Sequence, residues 1–285
     1  MDVAVVGAGR VGTAMAVLLA RAGHRIVAVA GGSGTAARAA AHLPGVPVLA
    51  DADAARAAEV ILIGTPDAAI ETACRALAGA VGPGRVVGHL SGATGLAALA
   101  SARDAGASVL CLHPMQTCPT VDAAIARIPG SGFAVSAEEE PVLALGERLA
   151  RDAGGFPHRL PDDAKALYHA AAVLASNALV ALTDLADRAL RAAGIDDPSV
   201  FLGPLQRATI ENLAATTPGD ALTGPALRGD AATVEGNLRA LRASLPDAVP
   251  AYVAATGAAL DLAVRSGRLD DAGRRRVEEV LARWT

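Results

Sequence analysis

The sequence predicts an α/β domain with a mainly parallel sheet over residues 1–160, followed by an all-α domain over 161–285. Three observations carry that prediction. Short apolar segments alternate with helical ones as far as residue 160, a glycine-rich turn joins the first segment to the first helix, and beyond Pro161 helical periodicity runs to the C-terminus.

The first strand is expected at Asp2–Val6, a helix at 11–22 and a second strand at Arg25–Ala30. Between the first strand and the helix stands Gly7-Ala8-Gly9-Arg10-Val11-Gly12. In such a turn the first glycine permits the tight bend, the second lets the backbone approach a pyrophosphate, and the third lets the helix pack on the strand. The N-terminal N–H groups of the helix then face the anion. The flanking strand, helix and strand favour a dinucleotide site over a glycine-rich turn with no ligand. An NAD site carries Asp or Glu near the end of the second strand, to accept from the ribose hydroxyls. Here that place reads Ala30-Gly31-Gly32-Ser33-Gly34-Thr35. No carboxylate in that loop would repel a 2′-phosphate, and Ser33, Thr35 and Arg38 could bind one, so NADP is favoured over NAD. The competing reading leaves Arg38 as a solvated residue of the next helix.

Further strands are expected at 46–49, Val60–Ile63, 85–87, 109–112 and 133–135. Ser136 followed by Glu139 matches a capping box for a helix through about residue 150, and 156–160 reads as a last edge strand. Beyond it, helices are expected over 163–193, 199–215, 230–244, 247–266 and 270–284. Gly194, Pro218, Gly229, Pro246 and Gly267 punctuate them.

Net charge is −4 with no dense basic run, so nucleic acid is not an expected partner. Hydrophobic residues make up 52% and aromatics only 2%, which requires cores of Ala, Val and Leu and closely packed helices. Cys74, Cys111 and Cys118 are odd in number and lack paired spacing, which fits a reducing cytoplasm and neither a disulfide framework nor a metal site. Met1 leads into the first strand, so no targeting segment is expected. The longest apolar run, 170–182, is short for a bilayer and holds Ser176 and Asn177, so no membrane span is expected.

Ligands of an open parallel sheet bind beyond the carboxyl ends of the strands, and four places there carry polar chemistry. In Gly64-Thr65-Pro66-Asp67, Thr65 and Pro66 would line the cofactor cleft and Asp67 would cap the next helix. In His89-Leu90-Ser91-Gly92-Ala93-Thr94-Gly95, Ser91 would hydrogen-bond substrate or nicotinamide and Thr94 would cap a helix, with a structural turn as the alternative. In Leu112-His113-Pro114-Met115-Gln116-Thr117, Pro114 fixes the chain so that His113 reaches the cleft edge to donate, accept or carry a proton. A structural histidine is the alternative there. On the long helix, Lys165, His169, Ala172 and Ser176 fall within roughly 60° of one another at about 100° per residue. In that polar stripe Lys165 would serve as an acid, His169 would orient it, and Asn177 is a weaker member; a solvated edge with a snorkelling lysine is the alternative.

Taken in order, several segments resemble the Rossmann-like oxidoreductases that carry a C-terminal domain of unknown function 2520. They are Gly7-Ala8-Gly9-Arg10-Val11-Gly12, His89-Leu90-Ser91-Gly92, His113-Pro114-Met115-Gln116-Thr117, Lys165-Ala166-Leu167-Tyr168-His169-Ala170-Ala171, Ser176-Asn177, and Leu222-Thr223-Gly224-Pro225 with Arg228-Gly229-Asp230. The resemblance spans nearly the whole chain. It implies a Rossmann doubly wound sheet, a helical second domain of the 6-phosphogluconate dehydrogenase C-terminal-like type, a homodimer packed through that domain, and NADP in the cleft. Lys165 is similar to the helix-borne lysine of β-hydroxyacid dehydrogenases, with His169 where those enzymes have Asn. Ser91 and His113-Pro114-Met115 resemble elements of prephenate dehydrogenases.

These readings together describe an NADP-dependent reductase of a small carbonyl or imine substrate bearing a carboxylate, such as a 2-oxo acid, ketopantoate being one. Lys165 or His113 would protonate the reduced group, Ser91 would hold it, and His169 would support Lys165. Asn177 and Arg228 would bind substrate, Arg228 by bidentate pairing with its carboxylate. The alternatives are a non-catalytic NADP-binding sensor or interaction protein, and an oxidative enzyme like prephenate dehydrogenase.

Overall fold

A computed structural model describes residues 1–284 of the chain. It falls into two compact units, Met1–Leu174 and the chain from Ala175 onward, with the division inside the long helical run. The first unit begins β1 (Asp2–Val6), α1 (Arg10–Arg21), β2 (Arg25–Ala30), α2 (Thr35–His42), α3 (Asp51–Arg56) and β3 (Val60–Ile63). It continues with α4 (Ile70–Leu77), β4 (Val86–His89), α5 (Ala100–Asp104), β5 (Ser108–Pro114), α6 (Val121–Arg127), β6 (Gly132–Ala137), α7 (Glu140–Asp152), β7 (Phe156–Arg159) and α8 (Lys165–Ala172).

The seven strands form one sheet in the order β2-β1-β3-β4-β5-β6-β7. Every neighbouring pair is parallel except β5 and β6, which run antiparallel with Leu112 opposite Val135. The chain order reverses between β1 and β3, and that reversal opens the crevice in which ligands of such sheets bind. All four residues of β3 are buried because helices cover both faces. On one face Val3, Val5, Leu62 and Leu110 pack beneath α1, α6 and α7; on the other Ala4, Val6, Ile61 and Ile63 pack beneath α3, α4 and α5.

Three local expectations are corrected. Residues 46–49 form no strand but a single parallel bridge, Val29 to Val48, because Pro47 has no N–H with which to extend a ladder. Ser136 caps no helix: it lies within β6 and its hydroxyl donates to the Leu160 carbonyl at 2.6 Å. Glu139 accepts from the Ser108 hydroxyl at 2.9 Å in place of closing a capping box. The helix expected at 163–193 is a 3₁₀ turn (Asp162–Ala164), α8, a π-helical turn (Val173–Asn177) and then α9 (Ala178–Ala192).

The second unit continues from α9 with α10 (Ser199–Ala215), α11 (Pro218–Ala221), α12 (Ala231–Ser244), α13 (Val249–Arg265) and α14 (Asp271–Leu281). Its core joins Val234 and Leu238 of α12, Val253 and Leu260 of α13, and Val277 of α14. Among the described residues two helical runs, Asp162–Ala192 and Pro246–Arg265, are long and apolar enough to cross a membrane by length and composition.

Candidate active site

The turn after β1 makes the first half of the site. Gly7 has φ of 80°, and a Cβ there would lie 2.6 Å from the Thr65 backbone nitrogen and 3.0 Å from the Gly64 carbonyl carbon. At Gly12 a Cβ would lie 2.9 Å from the Gly7 carbonyl oxygen, so both glycines serve packing within the protein. Gly9 differs: nothing lies within 3.8 Å of its missing Cβ, so the protein itself does not require glycine there. The N–H groups of Gly7 and Ala8 donate to the Ala30 carbonyl at 2.9 and 3.0 Å, and that of Thr13 donates to Gly9. Those of Arg10, Val11 and Gly12, the first turn of α1, have no intrahelical acceptor and form an anion-binding end.

Beside that turn a cavity of about 400 Å³ is lined by Gly7, Ala8, Gly9, Gly31, Gly32, Thr35, Arg38, Asp51, Gly64, Thr65 and Pro66. The Thr65 hydroxyl is buried without a partner, which leaves it free for a ligand. Arg38 donates from Nε to the Ala8 carbonyl at 2.7 Å, tying α2 to the glycine turn, and its Nη2 lies 3.5 Å from the Thr35 hydroxyl. The expected cofactor residues Thr35, Arg38, Thr65 and Pro66 thus share one cavity. Ser33 is exposed and outside it, and the Arg10 guanidinium turns away to the Pro119 carbonyl at 3.2 Å. Asp51 is an addition, because the bridge at Val48 returns the chain to β2 and brings in a carboxylate that the loop after β2 lacks. An orphaned hydroxyl, an open Gly9 and a helix end with free N–H groups fit a dinucleotide phosphate chain.

The second half is a polar cluster at the ends of β4 and β5. Lys165, only 2% exposed, donates from Nζ to Cys111 Sγ at 2.8 Å and to the Ser91 carbonyl at 3.4 Å; the Cys111 thiol donates to the same carbonyl at 3.4 Å. Burial pushes the Cys111 thiol pKa up, against the pull of the Lys165 ammonium. Three residues before Lys165, the Asp162 carboxylate accepts from the Leu96 N–H at 3.0 and 3.1 Å. Three residues after it, the Tyr168 hydroxyl and His113 Nδ1 share a hydrogen bond of 2.8 Å, with the rings edge to face at 5.6 Å. Asp162, Lys165 and Tyr168 thus make the polar contacts of this segment, while His169, Ala172 and Ser176 of the expected stripe lie half-buried. The 3₁₀ turn puts i and i+3 in line, and the π turn shifts the phase of everything after Ala172.

Gly92 lets the His113 ring lie against the loop, since a Cβ there would stand 2.7 Å from the ring. The His113 pKa is lowered to about 4 by burial first, then by the Lys165 ammonium and His169. Burial and Lys165 likewise lower His89 to about 4; its Nδ1 accepts the Ser91 N–H at 3.2 Å while its Nε2 is buried without a partner. Tyr168 is pushed up to about 12, chiefly by burial, and stays protonated.

The Ser91 hydroxyl is used within its own loop, accepting from the Ala93 and Thr94 N–H groups at 3.2 and 3.0 Å and donating to the Thr94 hydroxyl at 3.0 Å. That employs its full capacity and leaves Thr94 in the loop and not at a helix cap. Asp67 makes no capping bond either. His169 is not bonded to Lys165, and its Nδ1 is buried without a partner. In the second unit Asn177 ends the π turn and is exposed; Arg228, also exposed, lines a cavity with Arg268, Asp270 and Arg276. His89, Cys111, Tyr168 and Asp162 were not singled out from the sequence. One unused signal was that Lys165 is the only lysine among the chain's 25 Lys and Arg.

Two family models match the chain, a Rossmann-like domain over residues 1–114 and a domain of unknown function (DUF2520) over 131–259. No curated protein matches it. Among solved structures it is similar to a Bacteroides fragilis protein described as an NADP oxidoreductase, at TM-score 0.74 and 21% identity, covering 91% of this chain and 98% of that one. A reductive aminase from Aspergillus terreus, in complex with NADPH and ethyl levulinate, aligns at TM-score 0.64 and 22% identity over 98% of each chain. An imine reductase from Streptomyces aurantiacus aligns at 0.61 and 22%, covering 98% of this chain and 99% of that one. At these identities the likeness is one of fold. The chain thus joins a segment matching a Rossmann-like domain to one matching the domain of unknown function 2520.

Proposed function

We propose that the protein is an NADP-dependent oxidoreductase that reduces the C=O or C=N group of a small substrate. The observation that carries this reading is the cavity at the β1/β3 reversal, where free helix N–H groups, the unpartnered Thr65 hydroxyl and Arg38 meet. The names of the fold relatives, an NADP oxidoreductase, a reductive aminase with NADPH and an imine reductase, support it. Bound there, the cofactor's nicotinamide supplies the hydride. The N–H groups of Arg10, Val11 and Gly12 hold the pyrophosphate, and Arg38 with Thr35 holds the 2′-phosphate.

The polar cluster holds the proton. His113 keeps Nδ1 on Tyr168, so Nε2 is the atom that exchanges a proton with the substrate oxygen or nitrogen. Lys165, buried on Cys111 and Ser91, positions the loop and keeps a positive charge near His113. Between the two donors expected from the sequence, His113 is the one left accessible. The substrate carries a carboxylate in this reading, with 2-oxo acids the first to assay. The second unit pairs with a second copy of the chain.

Consumption of NADPH across a panel of oxo acids and imines tests the reading. Turnover that falls by about two orders of magnitude in His113→Asn supports it. If NADPH binds but nothing in the panel is reduced, the non-catalytic sensor is the better account. If NADH binds as tightly as NADPH, the assignment of Thr35 and Arg38 fails.

A further inference from the structure

The cavity assigned above to NADP contains an acid without a partner. Asp51 opens α3 and lines the cavity with Gly31, Gly32, Thr35 and Arg38. It is delivered there by the bridge to β2: the Val29 N–H donates to the Pro47 carbonyl and the Leu49 N–H to the Val29 carbonyl, each at 3.0 Å. Residues 47–49 thus run beside β2, and the chain reaches the carboxyl end of that strand as α3 begins. Asp53, two residues on, pairs with Arg56 at 2.7 Å, whereas Asp51 makes no ion pair or side-chain hydrogen bond although Arg38 lines the same cavity. Arg38 is anchored on the Ala8 carbonyl instead.

We propose that Asp51 recognises the adenine base, accepting a hydrogen bond from its exocyclic 6-amino group; the inference rests on the NADP reading above. A carboxylate only accepts, so it must meet a donor of the ligand. An adenosine 2′-phosphate has two kinds of donor, the 3′-hydroxyl and the 6-amino group. The 3′-hydroxyl sits on the carbon next to the phosphorylated one, so a carboxylate bonded to it would lie against a dianion. The 6-amino group is at the far edge of the base, away from the charge that Arg38 and Thr35 hold. Asp51 therefore selects the base while Arg38 selects the phosphate.

Dissociation constants of NADPH and of its hypoxanthine analogue, in which a carbonyl replaces the 6-amino group, test this directly on the full chain. The wild type is expected to bind the analogue about tenfold more weakly, because its carbonyl would face the carboxylate. Asp51→Ala should bind both alike, and Asp51→Asn, whose amide can donate, should lose or reverse the preference; an unchanged unfolding midpoint shows that both variants are folded. Equal binding of the two ligands by the wild type, or a preference that survives in Asp51→Ala, overturns the proposal. Tighter NADPH binding by Asp51→Ala also overturns it, since the carboxylate would then face the phosphate. If NADPH itself fails to bind, the NADP reading falls; if it binds without base preference, only the role of Asp51 does.

Discussion

His113 is held between Gly92 and Tyr168, and both neighbours bear on its chemistry. Removal of water and the nearby Lys165 ammonium favour the neutral imidazole, with its pKa lowered to about 4. A reduction that takes its proton from Nε2 then needs the minor, protonated form. Turnover in the reductive direction should therefore rise about tenfold per unit as pH falls from 7 toward 5, while oxidation of the product should be flat over that range; pH–rate profiles in both directions read this, and His113→Asn should flatten the reductive one. Stability moves the other way. Because the folded pKa values of His89 and His113 lie below the unfolded value, the unfolded chain binds more protons between about pH 6.5 and 4, and stability falls as pH falls through that window. His89 alone accounts for up to roughly 3 kcal/mol at full titration. Urea unfolding at pH 7 and 4.5 should show the loss, and His89→Asn, which keeps an acceptor for the Ser91 N–H, should lose less. Ser91, His113 and Lys165 stand out in the sequence as polar residues beside a strand end or at a helix start, although the Ser91 hydroxyl serves its own loop and only its carbonyl meets Lys165. Cys111 and Tyr168 do not stand out: one lies within an apolar strand and the other on a helix whose docking face only the fold defines.

At the scale of elements the glycine turn separates two jobs that the motif runs together. A side chain at Gly7 meets both a positive φ and the backbone of Gly64 and Thr65, whereas one at Gly9 makes only ordinary contacts, 3.8 Å or more, at φ of −76°. Gly7→Ala should therefore cost at least about 2 kcal/mol of stability. Gly9→Ala should leave the unfolding midpoint unchanged and weaken NADPH binding about tenfold or more, since its added methyl fills space meant for phosphate. Thermal unfolding with and without NADPH distinguishes the two variants; equal losses of stability would contradict the assignment. The strand–turn–helix order was readable because its apolar period and glycines are local. The antiparallel β6 was not, since a strand's direction is set by how the chain returns through α6 and leaves no mark in its own residues. The azimuths of Lys165, His169 and Ala172 are readable because all three lie within α8, whereas the contacts of Asp162 and Tyr168 are not, since the 3₁₀ turn and the loops they meet are set by the fold.

At the scale of the molecule, α9 and α10 pose an energetic problem that one copy of the chain does not solve. Helices of 15 and 17 residues, joined by a 2.6 Å hydrogen bond from Gln206 to Thr183, contain no buried residue. Yet Val180 is 70% exposed, Leu205 64% and Phe201 57%. Apolar helices draw their stability from packing, and so large an uncovered face marks an interface. A second copy is the occupant we favour, because symmetric pairing of one surface with itself is the commonest way such faces close. The opposing possibility is a bilayer, since the run containing α9 has a mean hydropathy of 1.5 with none of its apolar window buried. Asp184 and Asp187 pair with Arg188 and Arg191 along α9, and Arg188 also pairs with Asp247, charges that hydrocarbon would make costly to hold. Light scattering in detergent-free buffer should give twice the chain mass. Val180→Asp combined with Leu205→Asp should yield monomers that unfold at lower temperature, because each introduces a charge where the partner's apolar face would otherwise exclude water. A wild-type monomer stable in aqueous buffer, or a chain recovered only with membranes, would remove the second copy from the account and leave the face to another partner.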